Sequence, residues 1–480
     1  MNNSKAILKN NRIDRKISNR EFILNENLWK VVFYIGLPLV FYNGIKQIFN
    51  FFDILIAASM GADVVSIVSF ISQIQTLLTT FSLGLGLGGG VLIARANGAG
   101  DAVKEQRLIG TVFILILLLI VIIVFLVLPF APWVLKVFKM PDELTGLGTA
   151  IFRLELIGLI FVFINTFYFA IERARGNTKK IFYWNLLILV SRLMLSLFFI
   201  KVLYLGPVFL SVASIIAESF VFIFAAGGFF KREGGHIIRS CRRSGILLED
   251  VREIFIISIP IFLSKFIFHY GKVVVNSMSA AYGGMAIGAL GVSNRIVGLA
   301  TMPTIGFQEA ETTIISQNLG NNNPKRAFKA FTITCTINVI LGVMFFIIMS
   351  IYKDSIIHLF SKGDPAFALE IAKVYNYERY TSLLLAVSSS VMGLLFGFGY
   401  TRVAMLLNLL RLFVFRIPPL WYMQHYTSLK TEGLGIAMLI SNMMVGVSAI
   451  VAVLILIRRK NISSVDEKKI EETEVVMEEL

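Results

Sequence analysis

The 480-residue chain contains little cysteine, little histidine and little charge. Its two cysteines, Cys241 and Cys335, do not support a disulfide framework or a cysteine-ligated metal site. The four histidines are scattered along the sequence without a nucleophile motif, so the usual signature of an enzyme active site is missing. Charged residues make up 16% of the chain and hydrophobic residues 56%, a balance that excludes an ordinary soluble domain.

In place of polar surface, the sequence has long apolar runs. The run 112–128 carries no charge, and about 20 apolar residues are enough to cross a bilayer. We identify twelve such segments, numbered 1 to 12, at 32–59, 64–93, 109–133, 148–171, 181–203, 206–230, 254–281, 285–316, 329–352, 372–399, 403–423 and 434–457. The predicted fold class is therefore an all-α integral membrane protein with twelve transmembrane helices.

The first six segments and the last six read as two copies of one unit. Landmark residues coincide when the sequence is shifted by 222 positions, and the offset later grows to 223 and then 224. The matched pairs include Pro38 and Pro260, Gly84 and Gly306, Gly98 and Gly320, Glu155 and Glu378, Asn185 and Asn408, and Arg192 and Arg416. Related membrane halves that hold a substrate between them are a common transporter plan. We therefore predict two pseudo-symmetric six-helix lobes around a central cavity.

Lysine and arginine concentrate in alternate loops and in both tails, as the positive-inside rule describes. We expect a multi-pass protein of the plasma (inner) membrane with both termini in the cytoplasm. The first 30 residues lack the apolar stretch of a signal peptide, so a tail is expected there. The net charge of +15 then follows from topology, and no nucleic-acid partner is expected. The predicted parts are a cytoplasmic tail 1–31, an N-lobe 32–230, a cytoplasmic linker 231–253, a C-lobe 254–457 and a cytoplasmic tail 458–480.

Two segments carry polar stripes inside apolar surroundings. Ionisable groups within a membrane usually face an interior cavity, and spacings of three or four residues place them on one helical face. The stripes are Asn43, Lys46, Gln47, Asn50 and Asp53 in segment 1, and Lys265, His269, Lys272 and Asn276 in segment 7. We predict that both stripes line a substrate cavity together with Arg192, Arg295 and Arg416. The alternative is that these groups satisfy one another between packed helices. His269 could titrate near neutral pH and relay protons, but a lone histidine within a membrane is more often a hydrogen-bonded packing group.

Buried acids provide candidates for cation coupling. Glu309 has the uncharged Leu87 as its repeat partner, so it could make the two lobes do different work. Glu378 occupies the place equivalent to Glu155, and a nearby arginine leaves an internal ion pair as the alternative. The predicted coupling residues are Asp53, Asn50, Glu309 and Glu378.

Several motifs together resemble one transporter family. They are Phe51-Phe52-Asp53, the loop Ala94–Asp101 and its partner Gln317–Asn322, Arg173–Lys179, Phe138–Asp142 with Phe360–Asp364, and Arg416-Ile417-Pro418. In order and repetition this set resembles the multidrug and toxic compound extrusion (MATE) family over about 30–457. The resemblance implies a twelve-helix, two-lobed antiporter that exports small organic compounds, without a cofactor, in exchange for Na⁺ or H⁺.

The resemblance assigns cation coupling to Asp53 and departs from the family elsewhere. The polar pair that the family usually carries in segment 5 falls at Arg192 and Ser196, and segment 7 has Lys265 and His269 where some members have an acid. Asp53 therefore has two readings: it binds Na⁺ or a proton during transport, or it stays ionised beside Lys46 or Arg192. No metal site is predicted apart from Na⁺ at Asp53.

The excess of basic groups in the predicted cavity leaves the substrate open. If they are unpaired, the cavity attracts anions, and an exporter or flippase of anionic or lipid-linked amphiphiles becomes the alternative. An integral membrane enzyme is the alternative from a different class, but the repeat favours a moving two-lobed device. We expect a monomeric efflux transporter of xenobiotic compounds that works by alternating access in the lipid bilayer, with a small molecule as its substrate.

Overall fold

In the computed structural model, residues 18–138, 140–229, 231, 235, 247–361 and 363–458 are described, apart from the side chains of Asn50, Phe51, Ile54 and Ala62. This part of the chain is helical, and its twelve long helices correspond one to one with the predicted segments. We label them α1 Leu28–Ala58, α2 Ala62–Ala99, α3 Ala102–Val127, α4 Asp142–Ala174, α5 Thr178–Val202, α6 Val208–Phe229, α7 Leu248–Ser279, α8 Gly284–Gly320, α9 Pro324–Ile351, α10 Pro365–Phe398, α11 Thr401–Tyr426 and α12 Thr431–Arg458. Shorter helices span Asn19–Asn25, Ala131–Val137 and Lys353–Ser361.

Eleven of the described helices are long and apolar enough to cross a membrane. The remaining one, α7, is 32 residues long and carries most of its charge in its first turns. The predicted all-α membrane fold is confirmed.

α1 begins at Leu28 because the side chain of Asn27 accepts a hydrogen bond from the backbone N–H of Trp29 at 2.9 Å. α7 begins at Leu248, inside the range assigned to the linker, and the rest of that linker and both predicted tails fall mostly outside the described residues.

The packing of the helices repeats from one half to the other. α1 packs against α5 in its own half and against α8 in the other half. Likewise, α7 packs against α11 in its own half and against α2 in the other half. The packing of α2 against α4 in the first half corresponds to the packing of α8 against α10 in the second. These contacts within and between the halves thus have counterparts, as the sequence repeat predicts.

Glycines form matched crossing points between the halves. A Cβ atom on Gly98 would overlap the backbone carbonyl of Gln317, and one on Gly320 would overlap that of Arg95. Gln317 and Gly320 are the residues 222 positions after Arg95 and Gly98, so these two contacts are exchanged by the repeat. Only glycine allows backbones to approach this closely, which accounts for glycine at both positions.

A second pair of crossing points lies deeper along the same helices. A Cβ atom on Gly84 would lie 2.6 Å from the Cβ of Phe262, and one on Gly306 would lie 2.6 Å from the backbone nitrogen of Val40. Phe262 and Gly306 are the residues 222 positions after Val40 and Gly84, so the repeat converts one of these contacts into the other. The two halves are therefore in direct backbone contact along α2 with α7 and along α1 with α8.

Most hydrogen bonds, ion pairs and ring contacts between described residues of the two halves lie toward one end of the molecule. They involve the first part of α1, the end of α2, the start of α3 and the end of α4, which topology places on the same side. The ring contact between Phe81 and Phe262 lies deeper, at the middle of α2. The chain enters and leaves on this side, so it is the end that the charge pattern assigns to the cytoplasm. The structure thus has the halves joined at that end.

A π-helical turn, Leu410–Val414, interrupts α11 just before Arg416. A π turn adds one residue to an α-helix, and such turns are frequent at functional sites. The repeat offset is 223 at Asn408 and 224 at Arg416, so the inserted residue falls within this turn. The corresponding stretch of α5 is regular α-helix up to Leu197.

Candidate transport cavity

A central cavity lies between the halves, next to the crossing of α2 and α8. Arg173 of α4 and Glu309 of α8 form an ion pair across it, with 3.2 Å between guanidinium nitrogen and carboxylate oxygen. Lys265 of α7 lines the same cavity, beside small and polar residues of α2, α4 and α8. The predicted cavity residue Lys265 and the predicted coupling residue Glu309 therefore lie together, and Glu309 has an arginine partner in the opposite half.

The N half contains a second, polar cavity, which we call the N-half site and define by Asp53, Glu155 and Arg192. A carboxylate oxygen of Asp53 lies 3.1 Å from a guanidinium nitrogen of Arg192. Glu155 accepts a hydrogen bond of 2.8 Å from the side-chain amide of Gln75. Three serines complete the lining, namely Ser72, Ser196 and Ser211. α1, α2, α4, α5 and α6 each supply a side chain, so the site depends on the whole half.

Of the two cation partners considered for Asp53, the structure places Arg192 beside it. Lys46 instead lies over the ring of Tyr42, 5.8 Å from its centre. Asn43 is half-buried, and its side-chain nitrogen has no hydrogen-bond partner in the described part of the chain. Gln47 is also half-buried, and the side chain of Asn50 is outside the described residues. The stripe of segment 1 thus leads along α1 toward the N-half site.

The C half holds the counterpart, which we call the C-half site and define by Lys272, Glu378, Arg411 and Arg416. Glu378 is buried and accepts a hydrogen bond from the hydroxyl of Ser293. Arg416 donates from Nε to Ser441 at 3.1 Å and from Nη2 to Asn442 at 2.9 Å.

Arg411 donates to the same Asn442 oxygen at 2.6 Å, while the Ser441 hydroxyl donates to the Arg411 carbonyl at 3.1 Å. Ser441 and Asn442 of α12 therefore hold the interrupted turn of α11, whose backbone would otherwise leave polar groups unsatisfied in the membrane.

The stripe of segment 7 divides between the central cavity and the C-half site. Lys272 lies over the ring of Phe268, 4.9 Å from its centre. His269 contacts Phe268 edge-on at 5.6 Å between ring centres. Asn276 and Arg295 are exposed, and neither has a hydrogen bond or ion pair recorded with another described residue. Lys265 lies at the central cavity and Lys272 in the C half, about two helical turns apart.

Among the described residues, the structure does not contain the ion pair that was the alternative reading for each repeated glutamate. Arg153 is exposed, and Glu155 bonds to Gln75 instead. Arg379 contacts Tyr380, and Glu378 bonds to Ser293. Residues one or two positions apart on a helix point in different directions, so closeness in sequence did not make them partners.

Na⁺ is the metal that the sequence suggested, at Asp53. In the described part of the chain, no group of three or more histidine, cysteine, aspartate or glutamate side chains could hold a metal ion. The guanidinium of Arg192 lies 3.1 Å from Oδ2 of Asp53, so Na⁺ bound to that oxygen would have a positive charge beside it.

Comparison with known proteins agrees with this architecture. The MatE family model matches residues 38–198 and 260–422. This chain belongs to the MatE family. The two matched stretches begin 222 residues apart and end 224 apart, as the repeat does, so the family unit is one half of the molecule. MatE proteins are membrane transporters and not enzymes.

Several relatives of this MatE chain have names that concern drug resistance or export. "Probable multidrug resistance protein YoeA" of Bacillus subtilis is 21% identical over 420 residues, covering 85% of this chain and 89% of that protein. "Multidrug export protein MepA" of Staphylococcus haemolyticus is 24% identical over 388 residues, covering 79% of this chain and 83% of that protein.

Solved structures share the fold. A multidrug resistance MATE family transporter in an outward-facing conformation superposes with a TM-score of 0.82 at 20% identity, covering 92% of this chain and 97% of that one. A MOP superfamily transporter from Pyrococcus furiosus gives 0.85 at 19% identity, covering 92% and 98%. For that protein, reverse polarity of the binding pocket was taken to suggest a different function.

Sequence reasoning missed the neutral partners that hold the charged groups in place. Gln75, Ser293 and Asn442 are single polar residues in apolar stretches, a signal that was available but had no spacing to single them out. A cytoplasmic arginine was one considered partner for Glu309, but the sequence did not single out Arg173, because α4 and α8 belong to different halves.

Proposed function

We propose that this protein is a secondary active transporter that exports small organic compounds by alternating access, coupled to proton uptake in its N half. The observation that carries the proposal is the position of the contacts between halves. They close one end of the molecule directly below a central cavity, as expected for one state of a rocking pair of lobes. The drug-related names of the relatives support drug-like compounds as cargo.

Protons fit the N-half site better than Na⁺ does. Asp53 already has a tethered cation beside it, so Na⁺ bound to its Oδ2 would lie beside the positive charge of Arg192. A proton can add to Asp53 or Glu155 without needing space for an ion. Neutralising Asp53 would release Arg192 and so change how α1 packs against α5, which links proton occupancy to the shape of the lobe.

The first prediction tests the coupling carboxylate. Purified protein in liposomes should export a cationic dye such as rhodamine 123 when a proton gradient is imposed and show no export under a Na⁺ gradient alone. Asp53→Asn should reduce proton-driven export at least about tenfold, since removing a group that acts only during turnover lowers the rate directly. Initial rates of dye fluorescence change give the comparison.

Asp63→Asn is the matched control, because Asp63 is an exposed acid in the first turn of the next helix. It should export dye at the wild-type rate. Wild-type export by Asp53→Asn would overturn the assignment of coupling to the N-half site. Export driven by Na⁺ alone, with Arg192 in place, would overturn proton coupling.

A second candidate concerns the cargo. Lys46, Lys265 and Lys272 have no ion pair with a described residue, so basic groups remain available to an anionic or lipid-linked amphiphile. Rates of export for anionic and cationic dyes of one size distinguish the two, since a basic pathway favours the anion.

A further inference from the structure

The matched sites of the two halves have opposite charge. The N-half site combines two carboxylates with one guanidinium, whereas the C-half site combines three cations with one carboxylate. Both contain the repeated glutamate and arginine, so the difference comes from what each half adds. The C half adds Lys272 and Arg411 and has the apolar Val275 where the N half has Asp53.

The two arginines of the C-half site are held unusually close together. Arg411 and Arg416 donate to one and the same oxygen of Asn442, at 2.6 and 2.9 Å. Two guanidinium groups on a single neutral acceptor repel each other, and the repulsion is stronger inside a membrane protein than in water. Among the described residues, Glu378 is the nearest acid to interact with them, yet it forms no ion pair within 4.0 Å of either.

Lys272 extends the same cluster through an aromatic ring. The side chains of Lys272 and Arg411 both approach Phe268, at 4.9 and 5.2 Å from the ring centre. Lys272 as a whole residue is exposed, and its ammonium has no hydrogen bond or ion pair with a described residue. Nε of Arg411 is buried and has no hydrogen-bond partner there. Donors of both side chains are thus available next to an aromatic surface.

Arg411 lies in the π turn of α11, Leu410–Val414. At offsets of 223 and 224 its counterparts in the first half are Ile188 and Leu187, both apolar. The C half therefore has a cation in this turn where the N half has an apolar side chain. Maintaining such a turn beside Ser441 and Asn442 costs regular backbone hydrogen bonds, which favours a functional reason for it.

We propose that the C-half site binds the acid group of a small organic anion, with its aromatic or apolar body against Phe268. The acid group is a carboxylate, sulfonate or phosphate, which accepts hydrogen bonds from lysine and arginine together. Glu378 alone does not balance the three cations of the C-half site, and the bound anion supplies the additional negative charge. The inference names a class of cargo for the transporter proposed above, and it rests on that function only for how the anion would be moved.

Binding without a gradient tests the site separately from transport. The protein in nanodiscs of phosphatidylcholine, which bring no anionic headgroup, is titrated against 5-carboxyfluorescein or rhodamine 123 and followed by fluorescence anisotropy. These dyes share a xanthene ring system and differ in charge. Carboxyfluorescein should bind the wild type more tightly, and raising the salt concentration should weaken it.

The variants are expected to change the affinity for carboxyfluorescein in opposite directions. Lys272→Gln and Arg411→Gln should each weaken carboxyfluorescein binding about tenfold, because each removes one cation from a poorly solvated cluster. Glu378→Gln keeps the shape of the side chain and removes the competing carboxylate, so it should tighten binding severalfold. Lys201→Gln removes an exposed lysine of the other half and should leave binding unchanged.

The proposal is overturned if the wild type does not bind carboxyfluorescein measurably, or if Lys272→Gln and Arg411→Gln bind it like the wild type. Tighter binding in Lys272→Gln or weaker binding in Glu378→Gln would also contradict it. Absence of proton-driven carboxyfluorescein export in liposomes, with carboxyfluorescein binding intact in nanodiscs, would instead count against the transport mechanism alone.

Discussion

Replacing Gly98 by valine is expected to abolish transport. A side chain at this position would overlap the backbone carbonyl of Gln317, where α2 crosses α8. Backbone cannot move aside as a side-chain end can, so the helices must separate at the closed end. Overpacking a tight contact costs about 1–3 kcal/mol, and the closed state should bear this cost. Dye export should fall at least about tenfold, since turnover needs both end states.

Gly146→Val is the matched control, since a Cβ atom at Gly146 meets nothing within 4 Å. Thermal unfolding in detergent separates loss of the fold from loss of the closed state. A variant that keeps the wild-type melting temperature but not transport has changed the balance of states. A reporter at Ala94→Cys, at the buried cavity wall, should then react faster with a maleimide. Wild-type export by Gly98→Val would show that this contact does not form during turnover.

Breaking the ion pair between Arg107 and Asp250 is expected to shift the protein away from the closed state. The pair joins α3 to α7 across the halves, with Nε to Oδ2 at 2.5 Å and Nη2 to Oδ1 at 3.2 Å. The side chain of Asp250 is 4% exposed and that of Arg107 is 21% exposed. Asp250→Ala leaves the arginine without its partner. Because Arg107 retains some solvent, we expect a cost of about 2 kcal/mol, below the range for a fully buried pair.

A shift of about 2 kcal/mol changes the ratio of the two states about 30-fold, which the Ala94→Cys reporter can detect as faster alkylation. In the double variant Arg107→Asp with Asp250→Arg the ion pair is restored with its charges exchanged. The alkylation rate should therefore fall part of the way back to the wild-type value. The same two helices offer a control in Lys104 and Glu253, whose charged groups are 3.9 Å apart and 42% and 47% exposed. Glu253→Ala should have almost no effect, as exposed pairs contribute little. Equal alkylation rates in Asp250→Ala and Glu253→Ala would contradict the expectation.

The helices and their order follow from the sequence because apolar length is a local property. About 20 apolar residues cross a membrane whatever they pack against, so the segments could be located one by one. The shift of 222 residues predicted two related halves, and the exchanged contacts of Gly98 and Gly320 agree with that prediction at the level of single contacts. Even the drift of that shift near Arg416 has a local cause in the π turn of α11.

The sequence did not predict the partners of the charged groups in the same way. A periodic stripe places a side chain on a face of its helix but does not say which helix that face meets. Asp53 had two candidate cations at suitable depth, and the choice of Arg192 depends on how α1 packs against α5. The alternative pairings considered for Glu155 and Glu378 are absent because they relied on neighbours in sequence.

The sequence by itself therefore determined the membrane fold, the two halves and the set of charged residues within them. These follow from hydrophobicity, repetition and the cost of charge in lipid, which act residue by residue. Only the tertiary structure decided that the halves meet at one end, that Arg192 neutralises Asp53, and that three cations gather around Glu378. Those features depend on distances of a few ångströms between helices far apart in the chain, and electrostatic energy changes steeply over such distances.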